Sequence, residues 1–162
     1  MQTLSEKIVE RTWKKMAHMP LDEVPQIVKR LEKEQPEILA FLMAADYEVL
    51  NQDERELLLY LGITIWEIMR QGSPRPKRIG EKRLDRFIER TDQMAEYLMG
   101  ESPDDFEDAV EQIFKGHNQI NVLRYAVEAL FEMDEDEDTG VREEMKGLLF
   151  MNLKTVVEAL DQ

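Results

Sequence analysis

The chain has 162 residues, enough for one domain or two small ones fused, and can bury about 70% of its unfolded surface. With 43% hydrophobic residues it is not a disordered chain, despite 35% charged ones. The absence of cysteine excludes disulfides, thiol nucleophiles and thiolate metal sites, and a net charge of -14 disfavours nucleic-acid binding by the whole surface.

The composition is rich in Leu, Ala, Glu, Lys, Arg, Met and Gln, all strong helix formers, and no run alternates with a period of two. In chain order, the first helix is predicted to open at Thr3, where Thr3 and Glu6 have the spacing of a capping box. It turns Leu4, Ile8, Val9, Thr12, Trp13 and Met16 inward and ends near Pro20. A second helix starts at Asp22 as N-cap, tolerates Pro25 in its first turn, and buries Val24, Ile27, Val28 and Leu31. Gln35-Pro36 separates it from a third, which buries Ile38, Leu39, Phe41, Leu42, Ala45 and Leu50.

The fourth helix, 56–69, is apolar around most of its circumference and is therefore expected at the centre of the fold. Asp53 with Glu56 is the expected cap. Its polar positions Glu56, Tyr60, Thr64, Glu67 and Gln71 share one narrow side, expected to face water. Gly62 suggests close approach of a neighbouring helix, among Leu58, Leu61 and Ile65. At this length it is too short to cross a bilayer, which needs roughly 20 apolar residues.

A Pro/Gly-rich linker follows at 73–80, and then a second run of helices. The fifth spans 81–99, with Leu84, Phe87, Ile88, Thr91, Met94, Ala95 and Leu98 inward and Gly100 as its stop. The sixth starts at Ser102-Pro103 and buries Phe106, Ala109, Val110, Ile113 and Phe114. The seventh runs from Asn118 to Met133 on Ile120, Leu123, Val127, Leu130 and Phe131, and the eighth from Val141 to Leu160.

The halves look alike. Val9-Glu10-Arg11-Thr12 matches Ile88-Glu89-Arg90-Thr91, and Leu58-Leu59-Tyr60-Leu61 matches Leu148-Leu149-Phe150-Met151. The expected fold is all-α, with about eight helices in two related four-helix units, forming a compact bundle or short array. The units are 1–72 and 81–162, joined by the linker and expected to pack as one globular domain. The first is expected to supply the deeper core, because the eighth helix is more polar than the fourth.

Chemistry is scarce. His18 and His117 each sit at a predicted helix end and share no metal-binding spacing, so no metal and no cofactor are expected. The acidic run 134–138 partly resembles a calcium loop, but Met145 stands where a bidentate Glu is needed. Glu67 is the one charge between Glu56 and Arg70, and with Glu48 it could serve a carboxylate-lined pocket at the junction of the halves. Most of the ten methionines lie at core spacing and are expected to fill gaps there.

Charge is distributed unevenly. Residues 1–90 hold 16 basic and 16 acidic side chains, whereas 91–162 hold 5 and 19. Within the balanced part, 70–90 is strongly basic, and Arg75, Lys77, Arg78, Lys82, Arg83, Arg86 and Arg90 are the candidate binding residues for a partner or anion. The leading expectation is a non-enzymatic protein-interaction or scaffold module with an unspecified protein partner, able to self-associate through ridge and acidic half. It is expected in the cytoplasm and off the membrane, with no export signal at Met1. Alternatives are an enzyme or small-ligand binder, whose catalytic residues the sequence does not identify, and an anion or nucleic-acid binder through the basic segment.

Overall fold

The computed structural model describes residues 1–99, 103–132 and 139–162, with the side chains of 97–99 and 103–107 left aside. The described residues form eight α-helices and no strand: α1 Glu6–Ala17, α2 Val24–Glu34, α3 Pro36–Ala44, α4 Gln52–Met69, α5 Glu81–Met99, α6 Pro103–Phe114, α7 Ile120–Phe131 and α8 Lys146–Leu160. Short 3-10 turns at Leu21–Glu23 and Glu143–Met145 lead into α2 and α8. The expected stop at Gly100, the cap at Ser102, the burial of Leu98 and Phe106, and the acidic run lie outside the described residues.

Two helices occupy the centre. α8 packs against α4, α5 and α7, while α4 also carries α1, α2 and α3. Contacts therefore cross freely between the first and second halves of the chain, with α1 on α7 and α3 on α5 as well. Apolar residues from every part of this arrangement, from Leu4 to Leu160, form a single core.

α4 is as deeply placed as its sequence demands, with Leu58, Leu61–Trp66, Ile68 and Met69 buried. The deeper helix is nevertheless α8, which corrects the expectation drawn from its polarity. Residues Leu149–Val157 are all buried, as are Ala159 and Leu160. Its polar groups are submerged because each finds a partner on the spot. Thr155 Oγ1 donates to Thr91 Oγ1 (2.6 Å), Asn152 Nδ2 donates to Asp46 Oδ2 (2.9 Å), and Lys146 reaches Glu143 (2.6 Å).

The polar side of α4 also sinks in the middle. Thr64 is buried and donates to the Tyr60 carbonyl, and the Glu67 side chain is only 15% exposed. Gly62 has the expected close neighbour, but it is Leu42 of α3 that fills the space a Cβ would take.

Three caps differ from expectation. Ser5, not Thr3, caps α1 by accepting from the Ile8 N–H, and Thr3 donates instead to Asn118 (2.8 Å). Asp22 lies within a 3-10 turn, leaving Glu23 as the α2 N-cap without a side-chain bond and Val24 exposed. At α4 the capping box is Asn51 with Glu54, two residues earlier than expected. At α1 and α4 the cap is still a preferred residue type a few positions away, and at α1 the expected Thr3 is drawn off by a tertiary partner.

Candidate functional site

The seven basic residues predicted as a binding ridge are all exposed. Lys82, Arg86 and Arg90 follow one face of α5 at successive turns, with Arg83 beside them, and Arg75, Lys77 and Arg78 precede them in the linker. Among the described residues none of the seven pairs with a carboxylate. Arg90 lays its guanidinium 5.5 Å from the centre of the Phe87 ring.

The linker itself is anchored. Gln35, at the break between α2 and α3, reaches across to it. Its Nε2 donates to the Lys77 carbonyl (2.9 Å), and its Oε1 accepts from the Ile79 N–H (3.0 Å). Ile79 is buried beneath this clamp, and the Ser73 carbonyl accepts from the Gln2 N–H (3.0 Å). Lys77 and Arg78 thus project from backbone held at both ends.

Arg70, the first residue of the basic stretch, is not part of that ridge. Its guanidinium takes Glu34 in a two-pronged contact (3.0 and 3.1 Å), touches Glu67 (3.3 Å) and lies 5.0 Å from the centre of the Trp66 ring. Arg30 also approaches Glu67 (3.5 Å). The Glu67 carboxylate is therefore neutralised by two arginines, and Glu48 is exposed elsewhere. Neither lines the groove between α1 and α7.

A groove of about 280 Å³ does lie at the junction of the halves, between α1 and α7. Its walls carry Glu6, Glu10, Asn121, Arg124 and Glu128 around Trp13 and Tyr125. The two rings stack at 6.2 Å with 19° between their planes. Burial pushes the Tyr125 phenol well above its ordinary range, with Tyr60 adding to the effect and a hydrogen bond with Thr64 opposing it. Arg124 bridges to Glu6 (2.8 Å) and Lys14 to Glu10 (2.6 Å). Glu6, Glu10 and Glu128 are exposed, so the groove's carboxylates remain in water.

His18 stands at the C-cap of α1 and is exposed, as its helix-end position suggests. His117 has richer surroundings. Its Nδ1 accepts from the Gln119 N–H (3.1 Å), which leaves Nε2 facing Glu158 Oε1 at 3.8 Å, and Lys154 Nζ bonds the same oxygen. Burial raises the Glu158 pKa, but hydrogen bonds from His117 and Lys154 outweigh it and hold the carboxyl below the usual range. The signal in the sequence was Lys154 and Glu158 four apart on one helix, the spacing of an ion pair. A third cluster, Asp92 near Asp46 and Glu96, has an Asp92 carboxyl raised by burial and by those two neighbours.

Among the described residues no group of three or more His, Asp or Glu is placed to hold a metal ion, and no helix is long and apolar enough to cross a membrane. Compared with protein-family models, with curated proteins and with solved structures, the chain matches none of them.

Proposed function

We propose that this protein is a non-enzymatic interaction module, acting in the cytoplasm, that docks an acidic protein surface through the ridge Arg75–Arg90. One observation carries the reading. Seven exposed cations without a carboxylate partner among the described residues project from a clamped linker and the rigid helix that follows, on a chain of net charge -14. Preorganised backbone lowers the ordering cost of binding, and opposite charge steers the encounter. The carboxylates suggested for catalysis are either paired with arginine or open to water, which favours binding over acid–base chemistry.

The test is capture by the full chain and by the R83E/R86E variant at several salt concentrations. A protein partner held by the wild type, released as salt rises and absent from the variant supports the reading. If captured nucleic acid, destroyed by nuclease, accounts for all ridge-dependent retention, the anion-binding reading replaces it.

The same reading carries the internal duplication, with α1–α4 answering α5–α8. Three helix pairings correspond on exchange of the halves, α1 on α4 with α5 on α8, α3 on α4 with α7 on α8, and α1 on α7 with α5 on α3, whereas α4 on α7 has no comparable α8-on-α3 contact. The matched threonines are both buried, although their partners do not stand at equivalent positions. Thr12 is bonded by Gln71, just beyond α4, and Thr91 by Thr155 of α8.

A further inference from the structure

We propose that the groove between α1 and α7 receives the Pro-Arg-Pro-Lys-Arg segment 74–78 of a second copy of this chain. The inference rests on the ridge being a docking surface and names what it docks. The groove has the chemistry such a segment needs. The half-buried rings of Trp13 and Tyr125 offer their accessible surface to proline rings and guanidinium planes, and Glu128 stands beside them as an acceptor. Glu6 and Glu10, exposed in their pairs with Arg124 and Lys14, can share incoming cations. Lys14 lies 5.8 Å from the centre of the Trp13 ring, so this ring already attracts a cation within the chain itself. Glu128 is exposed and has no ion-pair partner among the described residues.

The segment has the complementary character. Arg75, Lys77 and Arg78 are exposed between Pro74 and the buried Ile79, and the Gln35 clamp fixes the backbone that presents them. Proline-containing segments docking on aromatic-lined grooves are a recurrent mode of recognition. Within one chain no ridge cation meets a groove carboxylate among the described residues. Ridge and groove are different surfaces, so each copy offers one of each and the contact is head-to-tail.

Sedimentation velocity on the full chain tests this with two variants, R75E/R78E for the segment and E10K/E128K for the groove. The wild type is expected to associate with rising concentration and to dissociate with salt. Each variant alone should weaken self-association about tenfold or more. An equimolar mixture of the two should associate again, because the native groove of the first meets the native segment of the second and the two reversed surfaces are themselves opposite in charge. The neutral pair E10Q/E128Q should weaken association less than the reversal, and it serves if the reversed groove variant fails to fold.

Two outcomes overturn the proposal. If the groove variants associate like the wild type while R75E/R78E does not, the ridge docks on another surface of the second copy and the ridge reading survives. If the wild type is monomeric throughout, a second copy is not the occupant, and the capture experiment with R83E/R86E decides the ridge reading separately.

Discussion

Arg142 lies across the carboxylate of Glu54, with Nη2 2.7 Å from Oε1, while its own backbone N–H donates to Oε2 at 2.9 Å. Glu54 is fully buried, caps α4 together with Asn51, and accepts from a residue that immediately precedes the turn into α8. The start of one central helix is thereby tied to the approach to the other. Gly140 completes the tie: its carbonyl accepts from Asn51 Nδ2 (2.9 Å), and at φ +72 a side chain there would meet Asp53.

The hydrogen bonds from Arg142 hold the Glu54 carboxyl at about 2, against an ordinary value of 4.5, although burial acts the other way. A depressed carboxylate stabilises the fold fully above its unfolded pKa and loses that contribution as pH falls through the folded one. Glu54→Gln should cost about 1.5–3 kcal/mol at neutral pH. Urea midpoints of wild type and variant should converge between pH 4.5 and about 2. A gap that stays constant over that range would show that Glu54 is not the titrating group.

Gly62 marks the closest approach of α3 to α4, because the Leu42 side chain fills its notch. Adding a methyl group there overpacks a core in which Leu42 is itself buried, while gaining about 1 kcal/mol of helix propensity. Gly62→Ala is therefore expected to be less stable by up to about 2 kcal/mol. Thermal unfolding distinguishes this from the stabilisation that propensity alone would produce.

Gln35 satisfies a carbonyl and an N–H of the linker in a largely buried place. Gln35→Met keeps the volume and removes both partners, which should cost about 1–3 kcal/mol. Amide hydrogen exchange at Ile79 should accelerate more than exchange within α8. Uniform acceleration through the chain would mean that the clamp acts on global stability alone.

Lys154 and Glu158 form a charge pair on the most buried helix, with side chains 4% and 16% exposed. Removing Lys154 leaves Glu158 only the more distant His117, and stranding a buried charge costs up to about 3–5 kcal/mol, whereas replacing both by apolar groups is often neutral. Lys154→Met should be severely destabilised, and the double variant K154M/E158M should recover most of the loss. Additive losses in chemical denaturation would assign the cost to packing, not to the stranded carboxylate.

Much of the fold was written in local pattern. The existence of eight helices, the break at Gln35-Pro36, the central place of 56–69 and the exposure of the seven ridge residues follow from periodicity and from proline, which act over a few residues. Distant partners decided the rest. Thr3 could not be seen to prefer Asn118, nor Glu54 to prefer Arg142, because each choice depends on a chain segment far away in sequence. α8 read as the more polar helix, yet it became the deeper one, since Thr91, Asp46 and Glu143 meet its polar groups where they lie. The α1–α7 groove has no local signature at all, for Trp13 and Tyr125 become neighbours only when the two halves pack. Side-chain spacing governs which elements form, whereas burial of a polar group depends on what the assembled structure places beside it.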